Sequence, residues 1–150
     1  MQFFLAYPNY HKSASILDPS RLGNQCYRET KTILSGKWVN HPISKMWKGH
    51  EYHICLYGMA CALELFCRHK LKIYCAGKLY NHLNSKATGT HWFNYYAMEA
   101  KKYEDTGPPI WLGDPAFHAS HRSNLLRKDP DWYSFFGWKE PNNLPYVWYY

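Results

Sequence analysis

The dipeptide Asp-Pro stands at Asp18-Pro19 and again at Asp114-Pro115, each time ahead of a long run without a further proline. Asp is a favoured helix N-cap, and proline's fixed φ suits the first helical position, where its missing N–H costs nothing. SRLGNQCYRETKTILS comes after the first pair and ends at Gly36, a natural helix stop; FHASHRSNLLRK comes after the second and ends at Asp129-Pro130. Between them, Ile43, Met46, Trp47, His50, Ile54, Tyr57, Cys61 and Leu65 recur at three-and-four spacing. This predicts a central core helix over residues 40–69, about 40 Å long, bent or closely packed at Gly49 and Gly58. A further helix is expected over 91–103, broken by Gly107-Pro108-Pro109. Residues 70–90 read as loops around a short element. Phe3-Phe4-Leu5-Ala6-Tyr7 reads as a strand or an extended arm, and the tail after Asp129 as ordered aromatic coil. The expectation is a mainly α, compact single-domain fold over residues 1–150.

Hydrophobic residues make up 46% of the chain, which excludes a disordered polymer. No apolar run approaches the roughly 20 residues that cross a bilayer, and the N-terminus carries no export signal, so no membrane is expected. The five cysteines are odd in number and have no CxxC spacing, so they read as reduced thiols of a cytoplasmic protein, host cytoplasm if viral. Basic residues exceed acidic ones by seven, and 14 Tyr and 7 Trp lie among them. Basic charge interleaved with stacking rings suits nucleic acid.

On the first helix, Leu22, Cys26, Glu29 and Ile33 fall on one face, bordered by Gln25. This puts a carboxylate on an apolar stripe, where burial raises its pKa and fits it for acid–base work. The alternative is an edge position paired with a nearby cation. Arg21 and Arg28, seven residues apart, flank that stripe and are candidates for phosphate contacts. His118, His121, Arg122, Arg127 and Lys128 form a basic helix next to Trp132 and Tyr133, the kinds of side chain that hold phosphates and stack bases. His50/His53 and His118/His121 are spaced as metal-binding pairs, but His50-Glu51-Tyr52-His53 is one residue short of the zinc-protease motif. Dinucleotide, P-loop and nucleophile-elbow signatures do not occur.

Four landmarks together resemble the pyrimidine-dimer DNA glycosylases of the phage endonuclease V type. They are Cys26-Tyr27-Arg28-Glu29, Gly49-His50, HASHRSNLLRKDP, and the Trp132-Tyr133 segment ending at Gly137. The resemblance implies a mainly helical protein that acts on double-stranded DNA with damaged bases, without metal or cofactor. It implies attack of the N-terminal amine on the sugar C1′, a Schiff base, help from a glutamate of the first helix, and β-elimination that nicks the strand. By motif position Glu29 is that glutamate, Arg28 a DNA contact, and Trp132-Tyr133 a segment near the lesion. Gln2 is bulky, which leaves Met1 in place, so the Met1 amine becomes the nucleophile. A monomer is expected. The rival readings are a non-catalytic nucleic-acid-binding protein on the same scaffold and a metal-dependent nuclease built on the His pairs.

Overall fold

A computed structural model describes residues 2–70 and 89–149; Met1, residues 71–88 and Tyr150 lie outside it, and with them most of the stretch read as loops. The described residues are helical or irregular, with no strand among them. The first helix opens as its sequence predicts. Asp18 caps it by accepting the Arg21 N–H, Pro19 is its first residue, and Gly36 ends it at φ 74°. The helix has three parts: α2 (Pro19–Asn24), a π-helical turn (Gln25–Glu29) and α3 (Thr30–Leu34); a short α1 (Tyr10–Ser15) precedes it. The wide turn rotates α3 relative to α2. Thr30 takes the inward position with no exposed surface, and Glu29 moves to the rim of the apolar face.

The long central helix is two helices. α4 (Pro42–Trp47) and α5 (Glu51–Lys70) are separated at Gly49, whose φ of 86° suits a residue without a Cβ. The three-and-four periodicity survives the break, because α4 and α5 bury their faces in the same core. Ile43, Met46, Trp47, Ile54, Tyr57, Cys61 and Leu65 are all buried. α6 (Gly89–Ala100) packs on α5, ending three residues before the expected Tyr103. Gly58 is the reason that the approach is so close: a Cβ there would lie 2.7 Å from the Tyr96 ring. Tyr96 is fully buried, with its hydroxyl held against Thr30 and the Cys26 carbonyl, so the ring has no room to move away. Gly58→Ala should therefore lower stability by about 1–2 kcal/mol, the overpacking cost outweighing the helix-propensity gain of about 0.5–1 kcal/mol. Thermal denaturation tests this, and an unchanged or raised midpoint would show that the ring yields.

The N-terminal segment is a buried arm, not a strand. Residues 2–6 run extended through the core, and Phe3 packs on Trp47 at 5.0 Å and on Tyr57 at 5.5 Å. α7 (Pro115–Lys128), capped by Asp114, holds this arm, and it also holds the tail. The tail begins with α8 (Pro130–Tyr133) and a 3-10 turn over Ser134–Phe136, short helical pieces where only coil is expected. Beyond them it runs as coil. The Leu144 N–H donates to the Ser123 hydroxyl (3.0 Å), the Leu144 carbonyl accepts from Asn124 (3.1 Å), and the Val147 N–H donates to the Ser120 hydroxyl (3.3 Å). No helix among the described residues is long and apolar enough to cross a membrane.

Candidate active site

The arm has no neighbouring strand to satisfy its backbone, so side chains do it. The Gln25 carboxamide accepts the Phe4 N–H (3.2 Å) and donates to the Gln2 carbonyl (2.9 Å), bridging two residues as a paired strand does. His121 Nδ1 accepts the Leu5 N–H at 2.9 Å. The Gly113 N–H donates to His118 Nε2 (2.9 Å), which leaves the proton on His118 Nδ1 to donate to the Leu5 carbonyl (2.8 Å). Arg122 donates to the Ala6 carbonyl (2.7 Å) and pairs with Glu140. The backbone of Gln2, adjoining the terminus, is thus fixed in the core.

These contacts relocate four residues that the sequence assigns to DNA. His118 and His121 are buried, and burial pushes the His121 pKa down to about 3, so its ring is neutral. Arg122 spends its guanidinium on Glu140 and the arm. The Tyr133 ring is fully buried, and its hydroxyl donates to Asp18 Oδ1 (2.5 Å), fixing the cap of α2. All four hold the fold in this structure. Trp132 is partly buried, with its indole N–H on the Ile16 carbonyl (2.9 Å). The basic helix is legible as charge, but most of its polar residues face inward.

Of the other expected residues, Arg21, Glu29 and Lys128 meet at an open cleft of about 320 Å³, which Gln2, Gln25 and Tyr146 also line; Arg28, Arg127 and Trp132 are not part of its lining. Three polar atoms on this lining, Glu29 Oε2, Gln2 Nε2 and the Tyr146 hydroxyl, have no hydrogen-bond partner. Seven more such atoms lie elsewhere among the described residues, so these three gain weight only because their residues share one cleft. Burial raises the Glu29 pKa, against the opposing pull of the chain's amino-terminal charge and of Arg28. Arg21, Arg127 and Lys128 make this end electropositive. Burial first, and then Arg21 and Arg127, lowers the Lys128 pKa; burial pushes Tyr146 up to about 12 despite the same two arginines. Arg21 also pairs with Asp18 at 3.1 Å, Arg127 with Asn124, and Arg28 stands exposed beside Glu29. Met1 lies outside the described residues, but Gln2 brings the chain to the cleft wall one residue short of it. Sequence reasoning missed Gln2 and Tyr146 as lining residues. Gln2 is apparent only once the arm is seen to be buried.

Residues 1–75 match the profile of a family described as pyrimidine dimer DNA glycosylase. The chain belongs to that family. The match covers Gln2, Arg21, Gln25, Arg28 and Glu29 but not Lys128 or Tyr146, so the glycosylase family residues form one wall of the cleft and the second half of the chain supplies the other. No curated protein and no solved structure matches the chain. Membership gives the activity class, a DNA glycosylase, and a DNA substrate. The metal-nuclease alternative finds no support: among the described residues no group of three or more His, Cys, Asp and Glu could hold an ion. His53 of the first pair spends both ring nitrogens on Tyr10 (3.0 Å) and Asp105 (3.3 Å).

Proposed function

We propose that this glycosylase cleaves DNA at damaged pyrimidines through its own amino terminus, with Glu29 moving the protons. The carrying observation is that Gln2, the residue next to the terminus, and Glu29 line one cleft, and each has a buried polar atom without a hydrogen-bond partner. The unprotonated α-amine attacks C1′ of the deoxyribose, the damaged base departs with the glycosidic electron pair, and the sugar ring opens as the imine forms. The Glu29 carboxylate takes the proton released by the amine and returns one to the ring oxygen. Loss of a 2′ proton then expels the 3′ phosphate. An α-amine has an ordinary pKa near 7.7–8.0, so part of it is free base at neutral pH, unlike an ordinary lysine. Arg21, Arg28, Arg127 and Lys128 supply phosphate contacts, which makes double-stranded DNA the partner and binding salt-dependent.

Borohydride tests the reading, because it reduces an imine to a stable amine. Full-length protein mixed with duplex carrying a thymine dimer or an abasic site should give a covalent adduct, and peptide mapping should place it on Met1. A second reading has its own observation. Lys128 lines the same cleft with a lowered pKa, so an adduct mapped to Lys128 would move the nucleophile there. No adduct and no incision on either duplex would leave a protein that binds without cutting.

A further inference from the structure

To reach a sugar C1′ inside a duplex, an enzyme has to displace a nucleotide from the stack, and the gap left behind has to be held open. The loop after α3 carries a side chain suited to that task. Residues 35–40 are all exposed, and Trp38 at their centre is 57% exposed with Val39 beside it at 64%. Every other described tryptophan is buried or partly buried. The Trp38 backbone has φ 64°, the left-handed region, and it is the one described non-glycine residue there. A bulky side chain rarely sits in that region, and such strain collects at functional positions.

Trp38 is also the outer end of a row of rings. It meets His41 edge-on at 5.9 Å, His41 meets Trp148 at 6.4 Å, and Trp148 meets Tyr146 at 5.8 Å. Tyr146 lines the cleft that holds Glu29. His41 is fixed, since its Nδ1 accepts the Ile43 N–H that opens α4. Burial and the terminal charge lower its pKa, which favours the neutral ring. The row thus runs from an exposed apolar tip, next to the exposed Lys37, to the wall of the reaction cleft.

We propose that Trp38 is a wedge that enters the duplex at the lesion and stacks in place of the displaced nucleotide, with His41, Trp148 and Tyr146 forming the aromatic track from the helix to the cleft. Apolar and aromatic wedges that unstack base steps are a recurring device of DNA-bending proteins, and ring–base stacking tolerates any sequence. The backbone is left-handed at Trp38, and the residue stays more than half exposed while its ring rests edge-on against His41. The inference rests on the glycosylase acting on duplex DNA, not on which amine is the nucleophile.

The test uses the full chain and a duplex with 2-aminopurine opposite a thymine dimer. Wild-type protein should raise the 2-aminopurine fluorescence on binding. Trp38→Ala should lose that rise and lose on the order of tenfold in preference for damaged over intact duplex, with an unchanged salt slope. Trp38→Phe should keep most of both. Trp38→Gly should lose the preference while its melting temperature holds or rises, because glycine accepts this φ without strain; a structural tryptophan would lower it. Protein labelled with 5-fluorotryptophan separates the failures. If the wild type does not incise but the Trp38 resonance, assigned by its absence in Trp38→Phe, shifts on duplex, the proposed function fails and the wedge stands. Normal incision with an unmoved Trp38 resonance and an unaffected Trp38→Ala would overturn the wedge.

Discussion

Glu29→Gln should bind damaged duplex at least as well as the wild type and lose about 10²- to 10⁴-fold in incision, the range that a positioned proton-transfer group contributes. The two effects separate for a physical reason. The amide fills the same space on the rim of the first helix but can neither take nor return a proton. It also removes one negative charge from a cleft whose other charged lining residues are the cations Arg21 and Lys128. Stability should not fall either. Burial raises the Glu29 pKa in the folded state, so the fold prefers the neutral form; that contribution is fully present at low pH and is lost as pH rises through the raised pKa. At neutral pH the substitution removes a desolvated charge. In the wild type the ionised carboxylate is the working form, so the incision rate should fall with acid at a pH above the ordinary glutamate range. That lower inflection should vanish in Glu29→Gln, leaving only the rise as the amine loses its proton. Pre-steady-state incision, measured across pH beside binding and melting curves, reads all three. A variant that incises normally would remove Glu29 from the chemistry.

The range of the forces involved decides which features the sequence discloses and which it hides. Caps and stops are local, so Asp18-Pro19, Gly36 and Asp114-Pro115 could be read directly. Periodicity reports burial, not continuity. The three-and-four pattern across residues 43–65 therefore found the core residues except His50, which is only partly buried beside the break at Gly49 that the pattern concealed. The π turn left no signal, because Gln25–Glu29 has nothing that disfavours an ordinary helix; its wide geometry shows only through the contacts it sets up, Gln25 reaching the arm and Glu29 reaching the rim. The cleft was half legible. Glu29, Arg21 and Lys128 stand out by charge on helices. Gln2 and Tyr146 belong to the terminal segments, whose positions depend on non-local contacts, such as Leu5 with His121 and Val147 with Ser120. The string HASHRSN was the hardest to read. Polar and basic residues in a helix normally mean a solvated or ligand-binding face, yet here His118, Ser120, His121, Ser123 and Asn124 are buried because two extended segments need their hydrogen bonds.

That exchange of roles gives the second large expected effect. Replacing both His118 and His121 by Ala should unfold or loosen the protein, not weaken a DNA contact. The change leaves the Leu5 N–H and carbonyl without partners inside the core. Each unsatisfied backbone group costs about 1–3 kcal/mol, so the pair should cost about 2–6 kcal/mol. Set against the 5–15 kcal/mol that a domain has in total, this should lower the melting temperature by on the order of 10 °C. A DNA-contact role predicts the opposite pattern, an unchanged midpoint with a smaller salt slope. The pH dependence adds a signature. Burial holds His121 neutral, with a folded pKa of about 3 against an ordinary 6.5. Its contribution is therefore present above about pH 6.5 and is lost as pH falls toward 3, and the Ala variant should lose that part of the acid sensitivity. Below its own melting temperature the variant should still bind duplex through Arg21, Arg28, Arg127 and Lys128, but its incision should collapse, because a released arm no longer holds Gln2 at the cleft wall. Hydrogen exchange at Leu5 connects the two results. Its amide should be strongly protected in the wild type and exchange freely in the variant. His121→Asn, which can place an acceptor near the same point, should restore part of that protection and of the incision with it.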